Sequence, residues 1–346
     1  MSVEKSFYGK MPCGSEVYSY CITNTSGASA QIITKGATLD KLIVPDRNGV
    51  LADVLVGFDD LDGHVNRTDY QGVVVGQYAN RIADGRFTVN GIEYNVTKNE
   101  KGITCLHGGG EYSNAVWDAE ILSENSVKFI YFSQDLNEGF PGNVDVSVTY
   151  TFGDDNALHL SYSARTDKDT VINLTNHAYF NLAGAGSILG TQLRLNAQYY
   201  TPIDENSIPL GTLAPVAGTP FDFTQSKEIG RDINADDEQL KNGSGYDHNF
   251  CITDWDGSLR CAAVAFEPES GRVLQVLTTL PGVQLYTGNF LKGVIGKGGK
   301  PMNYRTGFCL ETQYYPNTPN IPSFPSCLLK GNETYHSETV FCFSVK

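Results

Sequence analysis

The chain has 346 residues, 40% of them hydrophobic and 11% aromatic, with 36 glycines and a formal net charge of −14 at pH 7. These figures describe a folded, turn-rich globular protein with ample apolar material for a core, and so acidic a balance excludes nucleic acid and anionic membrane as partners, since both are bound mainly through Lys and Arg. No apolar run approaches the ~18 residues that span a bilayer, and no apolar segment follows Met1-Ser2-Val3-Glu4-Lys5, so the chain reads as soluble, unexported and cytoplasmic.

In chain order, the first distinctive segment is Gly76-Gln77-Tyr78-Ala79-Asn80-Arg81-Ile82, which sets a guanidinium among small and aromatic residues. Arg86 to Val96 then alternates apolar and polar residues on both sides of Asn90-Gly91, the pattern of a hairpin with a type I′ turn. After Leu106-His107-Gly108-Gly109-Gly110, strands are expected at 127–132, 144–152, 157–164 and 171–174, with Gly153-Asp154-Asp155-Asn156 as the turn between the second and third. Further strands are expected at 262–266, 272–279, 283–287, 307–310 and 340–345, and longer loops at 183–187, 202–227 and 290–304. Helical periodicity is confined to Ser226–Leu240, where Gly230 and an Asp-rich middle oppose it. The fold class is all-β. No linker and no fixed-period repeat divides the chain, so residues 1–346 read as a single domain.

Eight dispersed cysteines, several inside apolar runs such as Phe341-Cys342-Phe343, read as reduced thiols, with Cys13 and Cys21 the one pair close enough in sequence to suggest a disulfide. No CxxC pair supports a structural zinc site.

The chemistry-bearing residues are few. Glu311 follows the apolar run Gly307-Phe308-Cys309-Leu310 and precedes a proline-ended aromatic loop, so a core strand is expected to deliver it to that loop. A carboxylate brought out of the core is unfavourable without partners or a task. Of six histidines, His107 opens a triple-glycine turn where backbone can approach a ligand closely, and His177 lies between an apolar strand and Ala178-Tyr179-Phe180, where it should be partly buried. Each also has a plain reading, an exposed turn residue for His107 and a satisfied core residue for His177. Arg81 offers a rigid multi-donor fork, and Gly245-Tyr246-Asp247-His248-Asn249-Phe250 packs Asp and His between aromatics. Together these suit a sugar, whose hydroxyls need directional donors and acceptors while its C–H face needs an aromatic wall.

Asn80-Arg81-Ile82, Leu106-His107-Gly108-Gly109, Thr175 to Leu182, Tyr246-Asp247-His248, Pro281-Gly282-Val283-Gln284, Tyr286 to Phe290 and Leu310-Glu311-Thr312-Gln313 resemble, in order, the motifs of the aldose 1-epimerases. The resemblance implies a large antiparallel β-sandwich and a reaction that opens and recloses a sugar ring. It implies Glu311 as catalytic base, His177 as catalytic acid, His107 as a polar stabiliser near the ring oxygen, and Asn80, Arg81, Asp247 and Gln284 as holders of hydroxyls. It implies no metal and no cofactor, a small-molecule aldose as the partner, and a monomer or homodimer. His248 and Tyr179 adjoin matched positions without an assigned chemistry, and the glycine-rich stretch Lys292–Tyr304 departs from the pattern.

With Glu near pKa 4.3 and His near 6.5, the base starts ionised at neutral pH, and the acid must be kept protonated, which a neighbouring carboxylate would favour. Competing readings are a glycosidase using Glu311 and Asp247, a non-catalytic carbohydrate-binding β-sandwich, and an epimerase of hexose 6-phosphates, against which the negative charge argues. A metal site on His107, His177 and Glu311 lacks the HxH or HExxH spacing that gathers ligands locally.

Overall fold

The computed structural model describes residues 1–65 and 69–346. Its strands form three main sheets, all antiparallel. The first is a five-stranded meander in chain order, Ser2–Lys10, Glu16–Thr23, Ser29–Ile33, Thr38–Pro45 and Leu51–Asp53. The second, nine strands wide, begins with Asp118–Ser123, Ser126–Ser133, Val144–Phe152 and Ala157–Thr166. The chain's last strand, Thr334–Val345, then pairs with Ala157–Thr166 on one side and Arg272–Thr278 on the other, so the sheet joins residues from the middle and the end of the chain.

These segments are strands because their residues alternate. Ala157–Thr166 buries every second side chain over most of its length, and its neighbour Val144–Phe152 does nearly the same. The buried faces meet in one apolar cluster that takes Tyr20, Ile32 and Leu42 from the first sheet, Phe129, Val148, Leu160 and Phe341 from the second, and Phe250, Leu285 and Leu310 from a third. Each fully buried side chain of this size stabilises the fold by roughly 1.5–3 kcal/mol relative to exposure.

The third sheet carries the site. It runs Ala214–Pro215, Ala197–Tyr200, Asp247–Ile252, Gly282–Tyr286, Cys309–Gln313. Glu311 lies inside its last strand, paired with Gln284, so the acid sits on the sheet itself rather than on a loop beyond it. The expected helix over 226–240 is also corrected: Lys227–Glu228 is an edge strand, and the helix is confined to Glu238–Asn242, capped by the Asp237 carboxylate. Helix-breaking Gly230 and the turn-forming acidic stretch outweigh a weak periodicity. The expected strand 171–174 is split into Thr170–Val171 and Thr175–Asn176. The hairpin at Asn90-Gly91 is as expected, with φ of 53° and 77° at the two turn residues.

All eight cysteines are free thiols; Cys105, Cys251, Cys309 and Cys327 are buried, Cys13 is exposed, and Cys13 and Cys21 form no disulfide. No helix among the described residues is long and apolar enough to cross a membrane.

One glycine lets the turn after His107 close against the chain at Gly76. Gly108 has φ +65°, and a Cβ there would overlap the Gly76 carbonyl oxygen and the Gln77 nitrogen. Gly108→Ala should therefore destabilise the protein by about 3 kcal/mol, read as a lower urea midpoint; an unchanged midpoint would show that the turn can relax.

Candidate active site

The period of two explains how the third sheet builds a polar wall on an apolar base. On one face His248, Phe250, Val283, Leu285 and Leu310 turn to the core, and on the other Asp247 stands opposite Tyr286, Gln284 opposite Glu311, and Tyr286 opposite Cys309. Gln284 donates to the Asp247 carboxylate at 2.7 Å and accepts from Gln313 at 3.1 Å, and Gln313 also donates to Asn249 at 3.1 Å. This ladder of amides fixes the Asp247 carboxylate that the wall presents.

Loops from elsewhere complete the site. His177 directly follows the strand Thr175–Asn176, which pairs with Val74–Val75, and its own N–H donates to Val73 at 3.0 Å. Arg81 lies opposite Leu106 in a two-residue ladder, which puts His107 beside Asn80. There the two backbones lock together: the His107 N–H donates to the Asn80 carbonyl at 2.9 Å, and the Asn80 N–H donates to His107 Nδ1 at 3.2 Å. Both residues take left-handed φ, 61° at Asn80 and 51° at His107, a strained conformation characteristic of functional turns.

The result is a cleft of about 660 Å³, a size suited to a small molecule, lined by Asn80, Arg81, His107, His177, Asp247 and Glu311. Tyr70, Tyr179 and Tyr286 supply aromatic surface, and Phe290, Leu291, Lys292 and Val294 bring the start of the 290–304 loop onto one wall. The imidazoles of His107 and His177 meet edge to face at 5.2 Å, and Tyr179 stacks on His177 at 5.1 Å. His177 Nε2 lies 3.6 Å from Glu311 Oε1, and Glu311 Oε2 is buried with no hydrogen-bond partner among the described residues.

Six of the seven expected site residues therefore line one cleft. The seventh, Gln284, lies behind Asp247 and bears on the cleft through it. Sequence patterns do not mark Glu100, whose carboxylate accepts from Arg81 Nε and Nη2 at 2.8 Å each, or Tyr70, whose ring lies 4.6 Å from that of His107. Glu100 sits in a polar, exposed run where no local pattern marks it, and Tyr70 stands alone between loop residues.

Burial sets the electrostatics. It raises Glu311 well above the usual carboxylate range, helped by the Asp247 carboxylate and opposed by Arg81. It also pushes His177 down to about 4. The expectation of a standing imidazolium is thus corrected: loss of water around the ring outweighs the attraction of the Asp69 carboxylate. Glu311 and His177 act as one coupled pair, and its resting proton lies toward the Glu311 carboxyl. His107 is held well below its ordinary value by burial, by His177 and by Arg81, so it is neutral. Because its Nδ1 accepts from Asn80, its hydrogen is on Nε2, and it offers the cleft a fixed donor.

That tautomer bears on metal binding. One ligating atom each from His107, His177 and Glu311 lies within 4.8 Å of the others, a grouping that could hold a cation. A ligating imidazole needs a bare nitrogen toward the metal and a hydrogen on the far one, and Asn80 imposes the reverse on His107. The arrangement favours hydroxyl recognition.

His248 belongs to the core. It is fully buried, its ring packs on Phe221 at 4.6 Å, and its Nδ1 accepts the Asp247 N–H at 3.2 Å, which steadies the strand at the carboxylate. Burial depresses it from 6.5 to about 3, so it stabilises the fold above pH 6.5, and that contribution is lost as pH falls toward 3. Between pH 7 and 4.5 the wild type should lose about 2–3 kcal/mol on this account, and His248→Gln, with no ring to titrate, should lose correspondingly less in urea unfolding. Parallel losses in the two proteins would refute the assignment.

Comparison with known proteins gives the family of the chain. Residues 18–342 match the family model described as aldose 1-epimerase. The chain is 42% identical to the galactose mutarotase of Rattus norvegicus over 349 aligned residues, covering 100% of this chain and 99% of that protein. It is 35% identical to the aldose 1-epimerase of Escherichia coli K12 over 326 residues, covering 93% and 94% of the two. A crystal structure of an aldose epimerase homologue from C. elegans superposes with a TM-score of 0.87 at 30% identity, covering 99% of each chain.

Proposed function

This chain belongs to the aldose 1-epimerase family, an isomerase that interconverts sugar anomers, and we propose that it does so on free aldoses such as D-galactose and D-glucose through Glu311 and His177. The observation that supports these roles is the pair itself. Its two groups are 3.6 Å apart, too far for a direct hydrogen bond, and Glu311 keeps a buried, unpartnered oxygen. Each working atom is left for a substrate.

In this reading the pair's single proton first passes from Glu311 to His177 Nε2 as the sugar binds; Glu311 then takes the proton of the C1 hydroxyl while His177 delivers its own to the ring oxygen O5, and the C1–O5 bond breaks to give the open-chain aldehyde. After rotation about C1–C2 the O5 hydroxyl returns its proton to His177 and attacks the other carbonyl face. Glu311 then protonates the new C1 oxygen. His107 donates its Nε2–H beside the ring oxygen. Arg81 and Asp247, tied to Glu100 and Gln284, hold hydroxyls with Asn80, and the tyrosines meet the sugar's C–H face. No redox step and no external co-reactant enters this balance.

We read the 346 residues as one folding unit, and the eight free thiols suit a reducing compartment, which favours the cytoplasm. Polarimetry on freshly dissolved α-D-galactose and α-D-glucose tests the function. Relaxation of both should accelerate, glucose 6-phosphate should gain less, and a chromogenic glycoside should stay intact. Acceleration confined to the phosphate, or cleavage of the glycoside, would replace this reading.

A further inference from the structure

The structure assigns to Cys309 a positioning role: its sulfur takes the Nδ1–H of His177, leaving Nε2 as the nitrogen that gives and receives the proton. The consequence for catalysis rests on the reading of His177 as acid, but the hydrogen bond itself does not.

Cys309 Sγ lies 3.5 Å from His177 Nδ1, within the range for a sulfur contact, and Nδ1 has no other hydrogen-bond partner among the described residues. Cys309 precedes Glu311 by two on the same strand, so the two side chains share a face. One strand therefore carries the base and also the group behind the acid. The ring's other nitrogen is the one near Glu311.

Stacking alone would not choose between the nitrogens. Tyr179 at 5.1 Å and Tyr70 at 6.0 Å fix the plane of the imidazole, yet a half-turn within that plane would put carbon where nitrogen should be. The sulfur selects the orientation and, by accepting, the tautomer. It can do so because it stays an uncharged thiol: burial raises Cys309 well above its ordinary value, and the Glu311 and Asp247 carboxylates add to this. The ionisable groups around the ring are Glu311, Asp69 and His107, with the phenols of Tyr70, Tyr179 and Tyr286. A carboxylate behind Nδ1 would make the ring more basic and hold its proton back. A thiol orients the ring without that effect, which suits a group whose task is to donate.

The test uses unliganded full-length protein labelled with 15N-histidine, with long-range 1H–15N correlations at a pH where His177 is neutral. Wild type and Cys309→Ser should each show His177 with its hydrogen on Nδ1, and Cys309→Ala should show a mixture of tautomers. In mutarotation, Cys309→Ala should lose about three- to tenfold in kcat, the worth of one modest hydrogen bond, with KM unchanged, and Cys309→Ser should recover most of it. A wild-type ring protonated on Nε2, or an alanine variant with the same tautomer and kcat, overturns the assignment. Absence of mutarotation in the wild type would instead sink the functional reading, while the tautomer would still decide the role of Cys309.

Discussion

Glu311→Gln is expected to slow mutarotation by about 10²–10⁴-fold, the usual worth of one general base, without loss of stability. The amide keeps the shape of the side chain and cannot accept the C1 proton. The stability half of the expectation comes from burial. Glu311 sits 2% exposed among polar groups that leave one of its oxygens unpaired, and its carboxyl is held well above the usual range. A carboxyl raised in this way contributes stability below its unfolded value, near 4.5, and loses it as pH rises through the folded value. At pH 8 the wild type therefore bears an unfavourable ionisation that the glutamine variant does not, and near pH 4 both are neutral. Urea midpoints should show the variant equal to or above wild type at pH 8, with the difference vanishing toward pH 4. A wild-type rate would sink the base assignment, and a variant less stable at pH 8 would show that Glu311 is a structural anchor.

The parts of this fold and site that are legible in the sequence are those that local pattern controls. Period-two alternation locates Val144–Phe152 to the residue, and turn chemistry locates Asn90-Gly91. Motifs in order along the chain locate His107, His177, Asp247 and Glu311 without any geometry. What is not legible depends on partners distant in sequence. Glu100 matters because the Arg81–Leu106 ladder brings it to a guanidinium, and Cys309 matters because His177 arrives from 132 residues away. The protonation of His177 escapes the sequence for the same reason. A nearby carboxylate is foreseeable, but the loss of water that also raises that carboxylate arises only when the third sheet and the loops that carry His177, His107 and Tyr70 close around the pair.

His177→Asn should likewise cost about 10²–10⁴-fold, and it should change the shape of the pH profile in a direction that no structural defect mimics. In the wild type the active species is the pair holding one proton, since Glu311 must accept one and His177 must give one. Adding a second proton fills the base, and the acid limb should lie low, since burial leaves His177 basic only down to about 4. Removing the single proton leaves nothing to donate, and the alkaline limb is set by the raised value of Glu311. The wild-type profile of kcat/KM is therefore a bell. Once His177 is gone, only the ionised base remains to act, so the residual activity of the variant should rise through the pH region where the wild type falls. The two lesions also belong to one device: the Glu311→Gln/His177→Asn double variant should be little slower than either single variant, because neither group works without the other. The measurement is kcat/KM from pH 4 to 10, corrected for buffer-catalysed mutarotation. A variant that kept a bell, or a double variant whose losses multiplied, would mean that His177 and Glu311 do not share the proton.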